Sequence, residues 1–209
     1  MTLLYQKIKA PCLADVQKEV LNFFEKNPHL VRHDVEGEYF VQMDFNNFPI
    51  LKNFINPRTI TEIVETSTCF LTKGKSLRRH IDGLKKDNGK VPPGVLIANH
   101  WVLVIPIANT MQSISYWFDN KHVQDQDEEI VNRIRPEPPY NFYVSFARDD
   151  LELTPIGSTV IDEMTFIRSN IYHNVENTGT DTRLVFIIRF REDEAHDSPD
   201  KIFNYKDLI

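Results

Sequence analysis

The 209-residue chain is poor in cysteine, with Cys12 and Cys69 its only two. Two thiols are too few for a disulfide framework or a cysteine-rich zinc site, and free thiols in a reducing compartment are expected. Long apolar runs are missing too. No stretch approaches the roughly 20 apolar residues that cross a bilayer as a helix, and the N-terminal MTLLYQKIKA lacks the charged, apolar and small-residue order of a secretory signal. A cytoplasmic protein without a membrane partner is expected. Nor is there an excess of positive charge, since 24 Lys and Arg stand against 30 Asp and Glu, a formal charge of -6. Nucleic-acid binding, which replaces phosphate counterions with a basic footprint, is therefore not expected. No internal repeat or low-complexity tract is visible. What remains is a length and a 41% apolar content sufficient to bury the core of a single globular domain.

The first periodic signal is LADVQKEVLNFFEKNP, where Leu13, Val16, Val20 and Phe23 or Phe24 recur at helical spacing until Pro28. An amphipathic packing helix is expected there. Residues 38–45 read as a strand. Asn56 and Pro57 then suit the N-cap and first position of a second helix over RTITEIVET. From Thr68 the texture becomes β-rich, in the runs CFLTK, LRRHID, VLVIPIAN, SISYWFD, LELTPIG, STVIDE, IYHNVEN and RLVFIIRF. Short runs separated by Gly, Pro and Asn point to a β-sandwich or barrel whose outer face the helices cover. The charged, proline-rich stretch from Lys121 to Pro139 reads as a loop inserted between strands.

His80 and Asp82 in LRRHIDG are two apart, so on a strand both side chains leave one face and can reach one ion. A His-x-Asp triplet alone is common and reads equally well as a polar strand end. His173, in IYHNVENTGTDTRLVFIIRF, is its candidate companion. Two imidazoles and a carboxylate on one face of an iron leave three positions open, as oxygen chemistry with a bidentate keto acid requires. Arg183 opens a strand apolar on both faces, with Val185 and Ile187 on its own side and Leu184, Phe186 and Ile188 on the other. A guanidinium entering such a strand needs an anion, either an internal carboxylate or a ligand, unless it stays exposed at the strand start.

At these residues the sequence resembles the Fe(II)/2-oxoglutarate-dependent dioxygenases, whose double-stranded β-helix carries a His-x-Asp, a distal His and a basic residue about ten positions later. His80, Asp82, His173 and Arg183 fall on those positions in order, over roughly Thr68 to Phe190. HNVEN followed by RLVFIIRF is similar to the closing segment of the aspartyl/asparaginyl hydroxylase-like and phage-type oxygenases. The resemblance implies a mainly β fold with flanking helices, a double-stranded β-helix (jelly roll, cupin-like) over 67–190. Residues 1–66 then form a helical N-terminal support with one strand, and 191–209 a C-terminal tail. It implies Fe(II) held by His80, Asp82 and His173, 2-oxoglutarate gripped by Arg183, O2 as oxidant, and hydroxylation of a small molecule or amino-acid side chain with release of succinate and CO2. Many relatives share the carboxylate with a Ser two positions after the Arg, where this chain has Val185. Asn109, Ser113, Ser115 and Tyr116 are the candidates to complete that pocket, with Asn109 and Ser115 preferred. The iron carboxylate, commonly missing from the aspartyl hydroxylase group, is present as Asp82, so that group's substrates are not carried over. Both histidines must be neutral to bind iron, so activity is expected to fail below about pH 6.

Other signals weigh less. TKGKS ends like a phosphate-binding loop, but Cys69 stands where the earlier glycine is required. His100 and Trp101 suit packing better than a substrate mouth, His122 reads as a solvated loop residue, and His29, His33 and His196 lie outside the β body. The acidic run Asp125 to Glu129 reads as a solvated face or a lid, and Tyr140, Phe142 and Tyr143 as a substrate wall by position only. Two other functions compete: a cupin-like domain that binds metal or a small acid without turnover, and a structural β-sandwich in which the three ligands never meet. Substrate identity and oligomeric state are not legible.

Overall fold

The computed structural model describes residues 3–55, 63–82, 98–119, 128–133 and 142–191. A short strand, β1 (Tyr5–Ile8), precedes helix α1 (Leu13–Lys26). Strand β2 (Glu38–Gln42) and helix α2 (Pro49–Phe54) complete the N-terminal region. The body then runs β3 (Ile63–Leu71), β4 (His80–Asp82), β5 (Ala98–Ala108), β6 (Ser113–Phe118), β7 (Glu128–Arg133) and β8 (Phe142–Ala147). It ends with β9 (Pro155–Val160), β10 (Met164–Arg168), β11 (His173–Asn177) and β12 (Arg183–Arg191).

These strands form two six-stranded antiparallel sheets, ordered β1-β10-β5-β12-β3-β2 and β7-β8-β4-β11-β6-β9. From β3 to β6 the chain alternates between sheets; β9 stays beside β6, and β10 to β12 alternate back. Thus β12 inserts between β3 and β5 while β11 inserts between β4 and β6. That winding is the double-stranded β-helix, and it brings strands far apart in sequence side by side.

Period-2 alternation decides what each strand contributes. In β12, Leu184, Phe186, Ile188 and Phe190 face a cluster shared with α1 and α2, including Val16, Val20, Phe24, Phe48 and Leu51. Val185 and Ile187 face the other sheet with Cys69, Val102, Val104 and Ile167. The first sheet is therefore apolar on both faces, as a sheet covered on both sides must be. Helix α1 follows the expected periodicity, burying Val16, Val20 and Phe24, and Phe24 meets Phe70 edge-on at 5.2 Å.

Several expectations are corrected. Ile63–Leu71 is strand, not the end of a helix begun at Pro57; residues 56–62 lie outside the described segments. Glu65, Ser67, Cys69 and Leu71 alternate with Thr66, Thr68 and Phe70, and pairing with both β2 and β12 overrides the local N-cap signal. The helix of this region is α2, begun by Pro49 and anchored by the fully buried Phe48 and Leu51. The N-terminal region holds two strands rather than one. Within the expected 121–139 loop, Glu128–Arg133 is a strand paired with β8; the rest of that loop, with His122 and Tyr140, lies outside the described segments. LELTPIG and STVIDE share one strand, β9, and β10 was not among the expected runs. Trp101 is buried among the helix-side residues.

Candidate metal centre

His80 and Asp82 occupy the two ends of the three-residue strand β4, so both side chains project from its inner face. In the antiparallel neighbour β11, His173 sits directly opposite His80. The two imidazole centroids are 4.4 Å apart. One nitrogen from each ring and one carboxylate oxygen of Asp82 all lie within 4.8 Å of one another. The three residues expected to share an ion therefore converge, although 91 positions separate Asp82 from His173.

The histidines are oriented by their own backbones. Nδ1 of His80 is 2.7 Å from the carbonyl oxygen of Arg78, and Nδ1 of His173 is 2.9 Å from that of Ile171. A carbonyl oxygen only accepts, so both Nδ1 atoms carry the proton and in the neutral rings Nε2 is the lone-pair nitrogen. Outer hydrogen bonds of this type fix tautomer and ring orientation in metal-binding histidines. Burial pushes the His173 pKa below the ordinary imidazole value, against the opposing pull of Asp82 and the Ile171 hydrogen bond. The neutral, metal-binding form is thereby favoured.

Asp82 is held from its far side. Its Oδ2 accepts from Nη2 of Arg189 at 3.1 Å, while Oδ1 faces Nε2 of His80 at 3.8 Å. Burial alone would raise the Asp82 pKa; the Arg189 guanidinium, with the His80 and His173 imidazoles behind it, reverses this and keeps the carboxyl well below the usual range. Arg189 also donates through Nη1 to Oε2 of Glu65 at 3.3 Å. Neither Arg189 nor Glu65 was foreseen. The signal for Arg189 was present, since it continues the series Arg183, Val185, Ile187 on one face of β12. Glu65 was hidden by the helical reading of its segment.

The same three ligands line a cavity between the sheets, with apolar walls that include Val102, Val104, Ile167, Val185 and Ile187. Its volume of about 50 Å³ admits about four waters at roughly 10–15 Å³ each. Arg183 and Ser115 line it too. Arg183 is 3% exposed, and its Nε has no hydrogen-bond partner. Among the described residues no carboxylate pairs with it. Burial lowers its pKa, with little to oppose that beyond Cys69, yet a guanidinium remains a cation at neutral pH.

Arg183 is positioned by the turn before it. Asn177 donates to the carbonyls of Leu71 at 3.0 Å and Asp181 at 2.9 Å, and its Oδ1 accepts from the Gly179 amide at 3.1 Å. A Cβ on Gly179 would stand 2.8 Å from Oε1 of Gln112, the far end of a flexible side chain, and 3.1 Å from Oδ1 of Asn177. Of the residues proposed to complete the pocket, Ser115 is buried and faces the cavity. Asn109 does not reach it. With φ of 56° it turns the chain between β5 and β6, exposed, and donates to the Thr182 carbonyl at 2.9 Å. Ser113 is engaged with Asn177 at 3.2 Å, and Tyr116 packs on the outer side of β6 with Tyr172 and Phe118.

No family model and no curated protein sequence matches the chain. Among solved structures it is similar to the non-heme alpha ketoglutarate dependent carbocyclase SnoK from nogalamycin biosynthesis, with TM-score 0.49 and 13% identity over 90% of this chain and 80% of that one. It is also similar to the epimerase SnoN, solved with Fe3+, alpha ketoglutarate and nogalamycin RO, with TM-score 0.48 and 10% identity over 90% and 78%. Bacillus subtilis oxalate decarboxylase matches with TM-score 0.34 and 12% identity over 77% of this chain, which spans only 27% of the decarboxylase. At these values the likeness adds nothing to what the sheet topology establishes.

Proposed function

We propose that this protein is an Fe(II)- and 2-oxoglutarate-dependent oxygenase that hydroxylates a small molecule or an amino-acid side chain. The observation that carries this reading is the buried Arg183 guanidinium, with no carboxylate partner among the described residues, in the same cavity as His80, Asp82 and His173. A buried cation without a partner costs several kcal/mol. Its planar fork matches a carboxylate.

Charge balance narrows the ligand. Among the described residues the buried charged groups in and behind the cavity are two carboxylates, Glu65 and Asp82, and two guanidiniums, Arg183 and Arg189. With neutral imidazoles these sum to zero. A divalent cation brings the sum to +2, and a dianion restores neutrality in a site where net charge is costly. A dicarboxylate with one end at the metal and the other at Arg183 satisfies both requirements, and 2-oxoglutarate is such a dicarboxylate.

The ligand set of two imidazoles and one carboxylate fits a non-heme Fe(II) with open positions. Bound there, the iron supplies oxygen activation coupled to oxidative decarboxylation of the keto acid. The chain's own residues do the rest. His80 and His173 present Nε2 lone pairs, Asp82 offers Oδ1, Arg183 with Ser115 orients the remote carboxylate, and the valine and isoleucine walls exclude water.

The test is anaerobic addition of Fe(II) and then 2-oxoglutarate, watching for the visible charge-transfer band of the chelate, followed by succinate formation in air with ascorbate. Absence of the band in wild type sinks the reading. A band without any succinate identifies a binding domain instead of an enzyme.

A further inference from the structure

Glu65 and Arg189 stand directly opposite each other across β3 and β12, while Asp82 belongs to the other sheet. The register between the strands shifts immediately after Arg189, and such an irregularity re-aims a side chain. The guanidinium crosses the interior with one arm on Glu65 at 3.3 Å and another on Asp82 at 3.1 Å. Glu65 is 5% exposed and Arg189 8%. Fixing both terminal nitrogens leaves the plane of the guanidinium little freedom to rotate, and the plane decides which oxygen of Asp82 is engaged.

We propose that Glu65 is a positioning residue for the metal centre: through Arg189 it keeps Oδ2 of Asp82 engaged and leaves Oδ1 alone to face the ion. Asp82 then ligates through a single oxygen, which preserves open coordination positions that a chelating carboxylate would occupy. Glu65 does not itself touch the ion. This assignment rests on the reading of His80, Asp82 and His173 as a metal centre.

The experiment uses Co2+ alone as probe on the full chain, because its visible d–d absorption reports coordination number and geometry. Dissociation constants are measured by titration, and near-UV circular dichroism checks folding. Glu65→Gln keeps the shape and removes the charge; Glu65→Asp keeps the charge and withdraws the carboxylate by one methylene. Both are expected to weaken Co2+ binding by about tenfold or more, the range for loss of an outer partner, and to change the absorption spectrum. A folded variant of either kind with wild-type affinity and spectrum overturns the proposal. So does Glu65→Asp restoring wild-type behaviour when Glu65→Gln does not, since charge rather than placement would then be sufficient. Should neither fold, Arg189→Lys, which retains the charge but not the two-armed fork, must change the spectrum, and a wild-type spectrum there likewise overturns it. If wild type and His173→Ala do not differ in Co2+ binding, the metal-centre reading itself fails, an outcome separate from any result on Glu65.

Discussion

Replacing Arg183 by methionine is expected to stabilise the ligand-free protein while abolishing its response to 2-oxoglutarate. Arg183 is 3% exposed, its Nε is unsatisfied, and no carboxylate pairs with it among the described residues. The folded state therefore carries much of the cost of desolvating a cation, still several kcal/mol after relaxation. Methionine fills a similar volume beside Val185 and Val104 without that cost. Allowing for water that partly solvates the cavity, a net gain of about 1–3 kcal/mol is expected. For a chain of this size that raises Tm by about 2–4 °C per kcal/mol, or roughly 2–12 °C in all. Wild type, loaded with Mn2+ as a non-turnover metal, should gain about 2.7 kcal/mol from 2-oxoglutarate at a hundred times its Kd, and the variant almost nothing. Thermal unfolding followed by near-UV circular dichroism, with and without Mn2+ and 2-oxoglutarate, measures both. A variant that melts lower than wild type without ligand, or that keeps the full ligand shift, would show that the guanidinium already has its counter-charge inside the protein.

Three further outcomes are expected. His173→Ala should weaken metal binding by more than the about 10–100-fold lost with an outer partner, with circular dichroism unchanged; equilibrium dialysis against Mn2+ checks it. Acid should destabilise the metal-free protein in two windows, because both relevant pKa values are depressed on folding. Unfolding releases His173 to bind protons near pH 6.5, so stability falls below that value until the lower folded pKa is passed. Asp82 contributes in the same direction below about pH 3.9. Urea midpoints between pH 7.5 and 5 should slope downward in wild type and flatten in His173→Gln. Burial also moves the His173 limit on metal binding to lower pH than an ordinary imidazole would set. Finally, Phe186→Ala empties a fully buried site stacked edge-on against Phe48 at 5.0 Å. It should cost about 3–5 kcal/mol, read from the urea midpoint.

The sequence by itself determined the local terms of this protein. The spacing of Leu13 to Phe24 wrote a helix, the alternation in RLVFIIRF wrote a two-faced buried strand, and the two-residue step from His80 to Asp82 placed both on one face. These rest on periods of 3.6 and 2, which a short window contains. Other features were decided only by pairing partners. RTITEIVET carries a helix-start signal, yet Ile63–Leu71 is strand because β2 and β12 flank it. Glu65 thereby lands opposite Arg189, a contact spanning 124 positions that no local pattern encodes. Asn109 and Ser115 were both candidates to complete the carboxylate pocket, and only the tertiary structure places one exposed in a turn and the other in the cavity. That three ligands converge, and that Arg183 has no counter-charge among the described residues, are likewise properties of the winding: β11 inserts beside β4, and β12 beside β3, only once both sheets exist.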